Sequence, residues 1–350
     1  MGFLFAALFE EEEERVPAVQ KQFDDFHSAI KLDEDDEKAN LREKRDNLIS
    51  DLKEHLPDDV PAFEYFHQGS YSMHTGVVPL DGNYDIDVGI IFDCKREKYA
   101  DPVELKKKVR DALSRYGRTV NIRRPCVTVN YLRNGEPEYH VDLAIYAKRD
   151  DGLLDLAKGK ENSEDSKRVW EITDPKKLTE LICKRFEAAA DRDQYRRCIR
   201  YLKRWRDVKF SSGAPLSIAL TVSAYHWFTP NKTTNGTYVD LLAMKGWANA
   251  MLNQFTTEWT DEGLHSRLKV TLPVTPDVDL MGWMTRTQME SFKTRLTELR
   301  DALQKAYEET LPEEASKMLA KQFGDKFPIP EKAATARAVT MPAIGTGSSA

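Results

Sequence analysis

Long apolar runs, paired cysteines and an excess of positive charge are all missing from this 350-residue sequence, and each absence removes a class of function. The four cysteines, Cys94, Cys126, Cys183 and Cys198, stand far apart with no C-x-x-C pair, which argues against a zinc knuckle and a disulfide framework and fits a reducing cytoplasm. The opening MGFLFAALF is too short to span a bilayer, lacks a basic flank and runs into the acidic stretch Glu10 to Glu14. Neither a secretory signal nor membrane contact is expected. Ala6 also breaks the myristoylation pattern. A formal net charge of -6 disfavours a surface built to grip nucleic-acid backbone, leaving at most a local basic patch.

What is present is an ordinary globular composition, 41% hydrophobic, on a chain long enough for two lobes. Residues 1–56 are charged with apolar residues at helical intervals, among them Phe23, Phe26, Ile30, Leu48 and Leu52, and read as N-terminal helices that pack on both lobes. Residues 57–165 change period: YDIDVGIIF, CVTVNYL and EYHVDLAIYA read as strands around the helix-like DPVELKKKVRDALSRYG. Within them, 150–165 is polar and Gly-bearing and reads as a loop or hinge. Residues 166–328 read as a helical lobe, and 329–350 as a flexible tail of small residues. The fold class is therefore α+β and bilobed, a mixed sheet lobe beside a helical one.

Side chains alternate along a strand, so Asp85 and Asp87 share one face while Ile86, Val88 and Ile90 take the other. Two adjacent carboxylates repel unless a cation lies between them, and hard oxygen ligands favour Mg²⁺ or Mn²⁺. Asp142, in EYHVDLAIY, shares a face with His140 and Ala144 and sits between apolar strand residues, a costly place for an unpaired charge. If the two strands are neighbours, three carboxylates converge, enough to hold two divalent ions for phosphoryl or nucleotidyl transfer. The competing reading is that Asp85 and Asp87 merely close the turn DGNYD on an edge strand. A calcium loop is excluded, because Ile86 and Phe92 occupy the glycine and bidentate-glutamate positions.

Gly69 lets backbone approach an anion and Ser70 adds a hydroxyl donor. Gly-Ser, then YDIDVGIIF, then a distant third acid resembles the nucleotidyltransferase signature. The fuller QGSYSMHTGV with YDIDVGIIF resembles the bacterial CD-NTases, relatives of cyclic GMP-AMP synthases, over about 63–228. The spacer of fourteen residues between Ser70 and Asp85 is long for nucleotidyltransferases, extended by PLDGN. The resemblance implies a polymerase-beta-like lobe in which Asp85, Asp87 and Asp142 are catalytic and hold two Mg²⁺ ions, with Mn²⁺ as the alternative. It assigns Gln68, Gly69 and Ser70 to the donor triphosphate, and it adds Lys203, from RYLKRWRD, and Ser217, from GAPLSIALTV, as phosphate contacts. Where the family often has an aromatic after that serine, this chain has Ile218. From the residues alone, Arg192, Arg197 and Arg204 read as a solvated basic face, Tyr225, Trp227, Phe228 and Trp247 as core.

The activity implied is template-independent joining of nucleoside triphosphates, with ATP and GTP expected, into a cyclic oligonucleotide. A purine-containing cyclic dinucleotide such as cGAMP is the first expectation, acting on an effector protein in antiphage (CBASS) defence. With no zinc-binding insertion, DNA activation is not expected. The alternatives are a linear oligonucleotide or poly(A)-type polymerase and a catalytically silent nucleotide sensor. Some family members are joined through their last residue to a partner by a ubiquitin-transfer-like enzyme, an expectation that here falls on Ala350.

Overall fold

A computed structural model describes residues 18–32, 37–82, 84–115, 118–133, 136–260 and 263–331. The acidic run at 10–14, Asn83 of the turn, and the tail with Ala350 lie outside these.

The chain begins with two helices that serve different cores. In α1 (Gln20–Ile30) the stripe Phe23, Phe26 and Ile30 joins the helical core, whereas α2 (Glu37–His55) sends Leu48, Ile49 and Leu52 into the sheet core. Next come β1 (Phe63–His67), the single turn α3 (Gly69–Ser72), β2 (Tyr84–Phe92), α4 (Pro102–Leu113), β3 (Arg118–Ile122), β4 (Val127–Arg133), β5 (Glu136–Lys148), β6 (Leu154–Lys158) and β7 (Val169–Thr173). The sheet runs β1-β2-β5-β4-β3, with β6 and β7 continuing from the far end of β5. β2 and β5 pair in parallel at its centre, and the other pairings are antiparallel.

One face of β2 and β5 presents Ile86, Val88, Ile90, Val141, Leu143 and Ile145 to α2 and α4, all fully buried. Helix α4 starts on an Asp101 cap, whose Oδ1 accepts from Val103 N at 2.8 Å, and places Pro102 at its first turn, where no donor is lost. On the opposite face Ile91, Ala144, Tyr146 and Leu154 make a smaller apolar cluster with Phe66. Gly89 admits the Phe66 ring there, since a Cβ would meet it at 2.1 Å. Beyond this cluster, the same face carries the polar residues.

The remaining helices are α5 (Pro175–Cys183), α6 (Ala189–Lys209), α7 (Ser217–Trp227), α8 (Asp240–Asn253), α9 (Arg286–Glu308) and α10 (Pro312–Phe323), with a hairpin, β8 (Thr256–Thr260) and β9 (Gly263–Arg267), inserted before α9. Trp205, Phe228, Trp247 and Phe292 pack in their core, and Tyr225 and Trp227 lie against it. Among the described residues no helix is long and apolar enough to cross a membrane.

Three expectations need correction. The segment 150–165 is not all loop, because LDLAK forms β6. Its charges are neutralised by neighbours, with Asp155 held by Arg149 at 3.2 Å and Lys158 by Glu171 at 2.6 Å, while Leu154 and Ala157 are buried. Residues 166–328 are not purely helical, since β7 extends the sheet and β8 and β9 form a hairpin. Finally, α6 is enclosed and its arginines are not a solvated face. Arg204 is 2% exposed and donates to Val78 O, Arg197 pairs with the buried Asp240 at 2.8 Å, and Arg192 donates to the Phe186 carbonyl.

Candidate active site

The parallel register of β2 and β5 sets Asp85 opposite His140 and Asp87 opposite Asp142. Period-2 alternation puts all four on the face away from α2 and α4, so two strands build a rectangle of three carboxylates and an imidazole. His140 Nε2 lies 3.3 Å from Asp85 Oδ1, and ligand atoms of Asp85, His140 and Asp142 fall within 4.8 Å of one another. Thr128, opposite Asp142 on β4 and almost fully buried, donates its hydroxyl to Asp142 Oδ1 at 2.5 Å. On the sheet, His140 and Thr128 are residues that sequence reasoning passed over. For His140 the signal was present, two positions before Asp142 on the same strand face.

Burial raises the carboxyls of both Asp85 and Asp87, and the neighbouring aspartates raise them further. A cation between such carboxylates would relieve this mutual repulsion. Carboxylates closely spaced on a rigid sheet match what a hard divalent cation takes as ligands, so these residues fit the metal that the signature implies.

Gly69 follows β1 and opens α3, with φ +66°. Its missing side chain is a steric requirement, because a Cβ there would sit 1.8 Å from Asp87 Oδ2. Gln68 N donates to Asp87 O at 3.2 Å, and Thr75 N donates to Ser70 O at 2.9 Å, so the loop is tied to β2 and closed on itself. Gly69, Ser70, Asp85 and Asp87 line a cavity of about 330 Å³ whose far wall is the helical lobe, with Lys203, Arg206, Asp207, Ser217 and Ile218. Gln68 does not line it, since its Oε1 accepts from the buried Tyr146 hydroxyl at 2.9 Å.

Lys203, 6% exposed, donates to both O and Oγ1 of Thr75 at 3.1 Å. Burial, assisted by Arg200 and Arg206, lowers its ammonium pKa to about 7. Ser217, at the first turn of α7, accepts from Arg206, which pairs with Asp207 at 3.3 Å. Arg206 is thus a second cation on the cavity wall, not singled out by sequence because α6 is basic throughout. His67 contacts Arg45 at 2.6 Å and packs against the Tyr71 ring at a tilt of 43°, and the His74 carbonyl accepts from Arg200; neither imidazole lines the cavity.

Residues 63–146 match the family model described as cyclic GMP-AMP synthase DncV-like, nucleotidyltransferase domain. This part of the sheet lobe is similar to the DncV-like nucleotidyltransferase domains. The chain is 30% identical over 184 residues to a curated cyclic GMP-AMP synthase of Escherichia albertii, a match covering 48% of this chain and only 38% of that protein's length. Among solved structures it shares its fold with Vibrio cholerae DncV in the 3'-deoxy GTP bound form, at TM-score 0.63 and 17% identity over 87% of this chain and 96% of that one. The CD-NTase CdnG of Bradyrhizobium diazoefficiens, in complex with GTP, is similar at TM-score 0.64 and 16% identity, again over 87% and 96%. CdnC of E. coli MS115-1 with ATP gives TM-score 0.60 at 18% identity over 88% and 98%. The bilobed, polymerase-beta-like architecture implied by the signature is therefore the fold of this CD-NTase-like chain.

Proposed function

We propose that this chain is a metal-dependent nucleotidyltransferase that joins nucleoside triphosphates without a template and closes them into a cyclic oligonucleotide. The observation that carries the reading is the β2–β5 register, which sets Asp142 beside Asp85 and Asp87, the two carboxylates that line, with Gly69 and Ser70, a cavity walled by Lys203 and Ser217. The similarity to a cyclic GMP-AMP synthase and to structures solved with guanine and adenine nucleotides supports ATP and GTP as substrates and a purine cyclic dinucleotide as product.

In this reading Asp85, Asp87 and Asp142 hold two Mg²⁺ ions, with Mn²⁺ as the alternative, which when bound would acidify an attacking 3′-hydroxyl and neutralise charge on the leaving pyrophosphate. Gly69 and Ser70 bring backbone and hydroxyl donors to the triphosphate, and Gln68, pinned by Tyr146, positions them. Lys203 offers a buried ammonium to the same phosphates, with Ser217 and Arg206 beside it. Thr128 fixes the Asp142 carboxylate. Apolar walls at Leu32, Val77 and Ile218 restrict water around the reacting groups.

Antiphage signalling through an effector, and conjugation at Ala350 by a ubiquitin-transfer-like enzyme, extend the proposal. Ala350 lies outside the described residues. The test is incubation with Mg²⁺ and each α-³²P-labelled nucleoside triphosphate, alone and mixed, then phosphatase treatment and chromatography. One resistant species, absent from Asp85→Ala/Asp87→Ala, is expected. A ladder of linear products would replace cyclisation with polymerisation. No product from any mixture would overturn the proposal.

A further inference from the structure

The carboxylate face carries one side chain that a purely acidic metal site does not use. His140 occupies the corner of the rectangle opposite Asp85, and it reaches the cluster because β5 runs parallel to β2 in this register. Its Nε2 stands 3.3 Å from Asp85 Oδ1 and within 4.8 Å of the Asp142 ligand atom. An ion with octahedral bonds of about 2.1 Å separates its cis ligands by about 3 Å and its trans ligands by about 4.2 Å. The observed spacings therefore need only small rotations of the three side chains to close on one ion. Asp142 is already aimed, because the Thr128 hydroxyl, donating to Oδ1, fixes the rotation of the carboxylate.

We propose that His140 supplies a nitrogen ligand to a divalent ion shared with Asp85 and Asp142, so that this site prefers Mn²⁺ to Mg²⁺. The inference rests on the metal-dependent reading above and deepens it. Mg²⁺ takes oxygen almost exclusively and keeps its waters, whereas imidazole is a favourable ligand for first-row transition ions. One nitrogen among carboxylates shifts affinity along that series without changing the charge the aspartates provide. Asp87, pressed against Gly69, lies to the side and remains available to a second ion of all-oxygen coordination.

The test is electron spin-echo spectroscopy of Mn²⁺ bound to the full chain, with affinity followed by loss of the free aqueous Mn²⁺ signal. A ¹⁴N coupling from a directly coordinated imidazole is expected, and it disappears in His140→Gln. In that variant Mn²⁺ affinity falls by about tenfold or more, while Mg²⁺ affinity, read by competition, changes by less than about threefold. Ligation is decided on the wild-type spectrum and needs no variant. Bound Mn²⁺ without ¹⁴N coupling overturns the histidine ligand and leaves the carboxylate site standing. Failure of both ions to bind, with Asp85→Ala/Asp87→Ala behaving as wild type, overturns the metal reading and this inference together.

Discussion

Gly69 lies directly beneath the carboxylate of Asp87, so close that a methyl group on its Cα would stand 1.8 Å from Oδ2. The phosphate-binding turn and the metal-binding strand are thus fitted to each other through the one residue type that can do so, at a φ of +66° that side chains also disfavour.

Gly69→Ala is expected to destabilise the protein by at least about 1–2 kcal/mol through the left-handed backbone alone. Product formation falls below detection because Asp87 must turn away. Adding Asp87→Ala takes away the carboxylate, leaving only a 2.9 Å contact with the residue 87 Cβ, so thermal melting of the double variant should show less than additive loss while activity stays absent.

The pH dependence follows from the raised carboxyls. In the metal-free fold Asp85 and Asp87 move from the ordinary 3.8 to about 7, so they favour the folded state when protonated. That contribution is fully present below about pH 4 and is lost as pH rises through about 7. In EDTA the melting temperature should fall between pH 5 and 8, and this slope should flatten in Asp85→Asn/Asp87→Asn. Added Mg²⁺ should raise it more at pH 8 than at pH 5.

Lys203 gives the opposite proton traffic. With its pKa lowered to about 7, it is largely neutral at pH 8, and an arriving triphosphate favours the ammonium form. Calorimetric titration of a nucleoside triphosphate in EDTA at pH 8, run in buffers of different ionisation enthalpy, should show uptake of about one proton. Lys203→Met should bind more weakly and take up about one proton fewer than the unaltered protein.

Away from the site, the fully buried Asp240 accepts two hydrogen bonds from Arg197, at 2.8 Å each, and others from Gln194 and Tyr201. Asp240→Ala leaves Arg197 without its counter-charge and should cost about 3–5 kcal/mol, read as a lower denaturation midpoint.

Alternation within YDIDVGIIF and EYHVDLAIY was enough to put the aspartates on chosen faces, because a strand's period is a local property. What alternation could not supply was the pairing between strands. Only the register reveals that His140 stands opposite Asp85 and that Thr128 secures Asp142. The misread elements share a cause. In β6 and α6, charged residues suggested solvent, yet Asp155 and Lys158 meet Arg149 and Glu171 on adjoining parts of the sheet, and Arg197 and Arg204 meet Asp240 and the Val78 carbonyl from other segments, so their polarity is satisfied inside the fold.

The rings of Phe23 and Phe26 in α1 rest against Phe327 and Phe323, at 5.2 and 5.3 Å between centroids. The strands of the sheet lobe, by contrast, are all complete once residue 173 is made. On the ribosome, then, the catalytic sheet can close early, while the apolar stripe of α1 waits first for Tyr201 and then, about three hundred residues after its own synthesis, for Phe323 and Phe327 to complete its ring cluster, an interval on the order of tens of seconds. Nascent chains stalled before residue 323 would carry a formed acidic site and a sticky helix, making α1 the natural place for a chaperone to hold the unfinished protein.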